Sequence, residues 1–107
     1  MAKIVWSEQA TCVYLEHVEY ARLEFGCSTA KRWQTERKQA EWRLERYPTT
    51  FPPEPLLQNM TKCYRSCHIM RRRFKMIYFY DEENDIVHIM DIWDTRMNPK
   101  NLVLRIK

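Results

Sequence analysis

Glycine is almost missing from this chain: Gly26 is the only one in 107 residues. With so little glycine there is no glycine-rich phosphate loop and no glycine-flanked nucleophile elbow, which removes two widespread loop-built catalytic sites. The four cysteines (Cys12, Cys27, Cys63, Cys67) contain no C-x-x-C pair, and His17, His68 and His88 form no helical pair. Neither set has zinc-ligand spacing, so no metal and no other cofactor is expected, and the cysteines read as reduced thiols. No apolar run approaches the roughly 20 residues of a membrane span. The opening run, Met1 to Trp6, is also too short for a secretory signal. These absences point to a soluble cytoplasmic protein without membrane contact. Repeats and low-complexity tracts are missing too, and 45% hydrophobic with 13% aromatic residues is enough to build a core. A chain this short holds one core, so residues 1–107 read as one domain.

What is present is patterned. Lys3 to Trp6 reads as a short strand, and Ser7 suits a helix N-cap. Tyr14, Val18, Ala21 and Phe25 then recur at helical spacing, and Gly26 sits where a helix end needs a left-handed residue. Ser28 can cap a second helix carrying Ala30, Trp33, Ala40, Leu44 and Tyr47 on one stripe, interrupted by Arg37. The spacing predicts helices near residues 7–26 and 29–47, folded as a hairpin, with Val18, Phe25, Trp33 and Leu44 largely buried. Pro48, Pro52, Pro53 and Pro55 mark an extended connection. Beyond it the pattern turns to strands over 62–70, 74–80 and 86–93, the last nearly continuous in apolar residues and so buried on both faces. Asp81 to Asn84 is a polar turn in which Asn84 suits the left-handed conformation, and residues 102–106 fit either a short helix or a strand. The fold class is α+β in the order β-α-α-β-β-β, an antiparallel sheet with a helical hairpin on one face.

Charge is segregated although the net charge is only +4. No acidic residue lies between Pro55 and Tyr80, a stretch that holds Lys62, Arg65, Arg71, Arg72, Arg73 and Lys75. Arg71 to Arg73 falls at a turn between strands, as an anion-binding edge or as a solvated hairpin tip. Arg65 shares a strand face with Cys63, Cys67 and Ile69, while His68 lies opposite with Tyr64. A histidine there suits general acid–base chemistry, though a lone strand histidine is more often structural. Asp94 can orient Arg96 for phosphate binding, or simply lock a turn. On residue chemistry alone the chain is a small basic α+β domain that binds polyanions or acidic segments.

Several segments, in order, resemble the RelE/ParE superfamily of type II toxins. They are Ile4 to Ala10 opening the first helix, Phe25-Gly26 closing it, Tyr47 to Pro52 after the second, Tyr64-Arg65-Ser66, Phe74 to Tyr78, and Ile89 to Pro99. The run Asp94-Thr95-Arg96 with Asn98-Pro99 is more similar to the ParE-type branch. That resemblance implies a growth-inhibiting toxin without nuclease activity that poisons DNA gyrase and is neutralised by a cognate antitoxin in a hetero-oligomer. The antitoxin is expected to bring an acidic amphipathic segment to the unpaired sheet edge and to Arg65, Arg71, Arg72, Arg73, Lys75 and Arg96.

Two other readings stay open. Pro53-Glu54-Pro55-Leu56 resembles the connection that carries a catalytic glutamate in ribosome-dependent mRNA interferases of YoeB type. In that case the target is ribosome-bound mRNA, and Glu54, Arg65, His68 and Arg96 are the catalytic candidates. However, no tyrosine follows Arg96, and the chain ends Lys100 to Lys107 where a His-Tyr pair is expected. The last reading is a non-toxic polyanion-binding domain.

Overall fold

The computed structural model describes residues 1–106. Its elements are β1 (Lys3–Trp6), α1 (Glu8–Phe25), α2 (Cys27–Arg46), a 3₁₀ turn (Pro55–Leu57), β2 (Tyr64–Ile69), β3 (Phe74–Asp81), β4 (Ile86–Asp94) and α3 (Pro99–Ile106). The sheet order is β1-β4-β3-β2. β1 runs parallel to β4, because the helical hairpin carries the chain back across the sheet; the other pairings are antiparallel. The α+β class and the hairpin on one face follow the sequence reading.

Local chemistry sets the boundaries. The Ser7 hydroxyl accepts from the Ala10 N–H at 3.0 Å and starts α1. Gly26, at φ 97°, both ends α1 and precedes α2, so Ser28 is already helical and caps nothing. One residue between helices forces a tight reversal, and a glycine takes that φ without a Cβ penalty. In the β3–β4 turn the left-handed residue is Asp85, at φ 55°, rather than Asn84. Asn84 instead donates its backbone and side-chain N–H groups to Asp81. The C-terminal segment is helical, started by the Asn98 side chain accepting from the Lys100 N–H at 3.0 Å.

Two cores result. On one face Trp33, Leu44, Tyr14 and Ala21 from the hairpin pack against Cys67, Met76, Tyr78, Val87, Ile89 and Ile92. On the other, where the sequence reading buried the last strand but named no covering element, Leu57 of the 3₁₀ turn and Leu102 of α3 close over Tyr64, Ile77 and Trp93. A bulge makes this possible. Ile77 pairs with Asp91 but Tyr78 pairs with Ile89, so Met90 is an extra residue that switches the side-chain alternation of β4. Ile89 and Ile92 therefore face the hairpin, while Asp91 and Trp93 face α3. Large side chains buried this fully, such as Trp93 and Leu102, each contribute roughly 1.5–3 kcal/mol.

Trp33 and Leu44 are buried as expected. Val18 is only partly buried. Phe25 is 63% exposed, because the reversal at Gly26 turns the last residue of α1 past the end of the sheet. Cys12, Cys27 and Cys63 are exposed free thiols and Cys67 is buried, with burial pushing its thiol up to about 12. A disulfide reagent at pH 8 should thus modify Cys12, Cys27 and Cys63 promptly and Cys67 only on denaturation. Four promptly reacting thiols would mean that β2 opens locally from the core.

Candidate functional site

The structure separates the candidate residues into three places. Glu54 and Lys75 are the first. Glu54 is fully buried; it accepts from Lys75 Nζ at 3.0 and 3.1 Å, from Ser66 Oγ at 2.6 Å and from the Leu56 N–H at 3.3 Å. Burial alone would raise its pKa, but these donors outweigh it and hold the carboxyl below the usual value. The arrangement fastens the proline-rich connection to β2 and β3. Glu54 is thus an ionised acceptor with no open face, and Lys75 is spent on it and unavailable to a partner. His68 pairs across the strands with Lys75, on the same face. Burial, Arg72 and Lys75 lower its pKa, which leaves a neutral imidazole at pH 7.

Arg65 is the second place. Its guanidinium donates to the carbonyls of Phe51 at 2.6 Å and Thr49 at 3.3 Å, tying the connection down from the other face of the sheet. Arg96 lies at the opposite end. Arg65 is level with Tyr78 and Ile89, whereas Arg96 follows Asp94, which pairs with Phe74. Four to five residues of strand separate those levels, about 15 Å. Asp94 fixes Arg96 through two guanidinium bonds, at 3.1 and 2.9 Å, and a third from the Arg96 N–H at 2.9 Å. Arg65 and Arg96 do not converge on one phosphate.

The third place is the turn between β2 and β3. Met70, Arg71 and Arg72 all take positive φ, at 52°, 57° and 66°. Non-glycine residues in this region cost roughly 1 kcal/mol or more each. The turn is held by its neighbours: the Met70 N–H donates to Glu36 at 2.6 Å, and the Arg73 carbonyl accepts from the Thr95 N–H and hydroxyl at 3.0 and 2.9 Å. Arg71 and Arg73 line a groove of about 470 Å³ between this turn and the helical hairpin, while Arg72 is outside its lining. Arg32 and Arg96 also line the groove.

Sequence reasoning missed the aromatic half of this groove. His17 stacks parallel on Trp33 with centroids 5.4 Å apart, and Phe74 packs edge-on to both at 4.7 Å. Tyr20 and Phe25, 59% and 63% exposed, form an edge-to-face pair at the mouth. Burial pushes the His17 pKa below its usual value, only partly offset by Asp94 and Glu16. The available signal was Tyr20, His17 and Phe25 lying on neighbouring turns of α1, but helical periodicity alone assigns such residues to a core.

Among the described residues no three His, Cys, Asp or Glu side chains are placed to share a metal ion. Among the same residues no helix is long and apolar enough to cross a membrane.

Comparison with known proteins agrees with this architecture. A search of curated proteins finds no sequence match. A solved structure of the "Chromosomal ParDE TA system from P. aeruginosa" superposes with a TM-score of 0.68 over 88% of this chain and 96% of that one. At 13% identity that likeness concerns the fold. The family model described as "ParE toxin of type II toxin-antitoxin system, parDE" matches residues 4–99, most of the chain and all of the sheet but Lys3. The chain belongs to the ParE toxin family of type II toxin–antitoxin systems.

Proposed function

We propose that this toxin acts by binding and inhibiting DNA gyrase, without cleaving nucleic acid, and that a cognate antitoxin with an acidic amphipathic segment neutralises it. The observation that supports a binding mechanism best is the state of Glu54. RNA scission needs a base that can reach the 2′-hydroxyl and a group that stabilises charge on the phosphate. Glu54 is buried among four donated hydrogen bonds, and the two arginines that would accompany it sit about 15 Å apart along the strands. His68, the other proton-transfer candidate, makes no side-chain hydrogen bond among the described residues, and the carboxylate that acts on it is that same engaged Glu54. Gyrase as the target rests on the ParE-type character of the family match.

Two assays run side by side test the reading: DNA supercoiling by purified gyrase, and primer extension on mRNA in a purified translation system. Supercoiling should be inhibited by the wild-type protein and restored by antitoxin, with no codon-phased cuts in the mRNA. His68→Gln should behave as wild type in both. Removing a transition-state contact typically costs on the order of 100-fold in rate, so phased cuts that His68→Gln or Arg96→Ala abolished would establish an interferase instead.

A further inference from the structure

We propose that the arginine-rimmed aromatic groove between the C-terminal half of α1, the start of α2 and the β2–β3 turn is where the antitoxin seats its acidic segment, with one aromatic or branched apolar side chain inserted between carboxylates. This rests on the toxin–antitoxin reading above and adds to it the surface and the chemistry of the segment that fits.

Three observations carry the assignment. The first is charge. Arg32, Arg71, Arg73 and Arg96 line the groove and no carboxylate does. Arg32 and Arg96 are already paired with Glu36 and Asp94. Among the described residues the guanidiniums of Arg71 and Arg73 take part in no ion pair and no hydrogen bond. Two free guanidiniums beside two compensated ones leave a net demand for negative charge on the incoming chain.

Apolar surface is the second. Tyr20 and Phe25 are exposed at the mouth, and Leu23, 67% exposed, lies between them in sequence. The floor of His17, Trp33 and Phe74 is built of mutually packed rings and, with His17 neutral, carries no charge of its own. An anchor side chain entering here meets ring faces and edges, the setting in which interface hot spots form. A wholly polar polyanion would leave this surface wet.

The third is backbone strain. Three successive left-handed residues at Met70, Arg71 and Arg72 are unfavourable unless something fixes them, and Glu36 and Thr95 do so from outside the turn. The effect is to split the arginine triplet. Arg71 and Arg73 line the groove while Arg72, between them in sequence, does not.

The split provides a charge-matched control. With full-length toxin and its cognate antitoxin, association and dissociation are measured at low and moderate salt for wild type, Arg71→Glu, Arg73→Glu, Arg72→Glu and Tyr20→Ala/Phe25→Ala. Thermal unfolding of each free variant verifies its fold. Arg71→Glu and Arg73→Glu should each weaken the complex about tenfold or more and reduce its salt dependence, and the aromatic double variant should act mainly by faster dissociation. Arg72→Glu, with the same change in net charge, should stay within about threefold of wild type. An Asp or Glu to Arg change in the antitoxin segment should recover binding to Arg73→Glu. Equal losses for Arg72→Glu and Arg73→Glu would overturn the groove assignment, leaving only a general charge effect. So would full binding by all groove variants, while the toxin–antitoxin reading would stand on the wild-type complex. Groove variants that lose affinity for a short single-stranded RNA but keep the antitoxin would assign the groove to nucleic acid. Should wild-type toxin form no complex with the antitoxin, both readings fall together.

Discussion

Glu54→Ala is expected to destabilise the protein by about 3–5 kcal/mol, seen as a lower urea midpoint with an unchanged slope. The cause is what the deletion leaves behind. Lys75, with a side chain only 19% exposed, would keep its charge in a low-dielectric site with no counter-ion. Ser66 would lose an acceptor at 2.6 Å, and the 3₁₀ turn would lose the side-chain oxygen that accepts from the Leu56 N–H. Leu57, which that turn delivers to the second core, would then be held by packing alone. Glu54→Gln keeps the shape and part of the hydrogen bonding and should cost less, about 1–3 kcal/mol. Removing both charges together, as Glu54→Gln/Lys75→Met, should cost less than the sum of the single changes, because a buried pair is worth little against apolar neighbours while a broken one is costly. The acid limb follows from the sign of the shift. Glu54 is held below its ordinary 4.5, so its contribution is complete above that pH and is lost as acid protonates the folded state. Additive single costs, with no coupling between 54 and 75, would show that the contact carries no energy.

The same residue shows how much of the site was legible from sequence. Glu54 stood out in Pro53-Glu54-Pro55 as a candidate base, and Lys75 as a free cation on a basic strand. Both are spent on each other across 21 residues of sequence, a pairing that strand alternation and charge counting do not contain. Hairpin helices, strand order along the chain and the placement of Arg71 to Arg73 at a turn were readable, since periodicities of 3.6 and 2 and a run of like charges are local signals. Phe25 went the other way. Its helical phase matched Tyr14 and Ala21, yet the stripe runs off the end of the sheet, so the periodicity that marks a core also describes a groove. The second core was hidden because Leu57 and Leu102 sit in short elements flanked by proline, where no period can establish itself. The bulge at Met90 was hidden too, and it decides which face receives Asp91.

Asp91 is the source of the remaining large effect, and its pH dependence runs opposite to that of Glu54. It is fully buried on β4, with Oδ1 accepting from Arg105 of α3 at 2.7 Å and Oδ2 without a well-formed hydrogen bond among the described residues, the Gln9 side chain and Ile92 N–H giving only weak support. Burial pushes its carboxyl up to about 6, a rise that Arg105 limits but does not cancel. The unfolded chain ionises near 3.8. Between those values the folded state binds the extra proton, so this residue stabilises the protein as pH falls from about 6 toward 4 and costs stability above it. The full span is worth on the order of 3 kcal/mol. His17 and His68 act in the reverse sense. Their folded pKa values are lowered, so the folded protein loses stability as pH falls below their ordinary 6.5. The wild-type curve is therefore a partial cancellation, and the difference between wild type and Asp91→Asn isolates the carboxyl. Thermal unfolding across pH 4.5–8 should find Asp91→Asn more stable than wild type at pH 8, with the advantage shrinking toward pH 5. Arg105→Ala should have the complementary profile. At pH 8 it strands a buried carboxylate and should cost about 3–5 kcal/mol. At pH 5 Asp91 takes up a proton instead, and much of that cost should disappear. A loss for Arg105→Ala that is the same at both pH values would mean that α3 is held by Leu102 and its apolar neighbours, and that the charge pair contributes only packing.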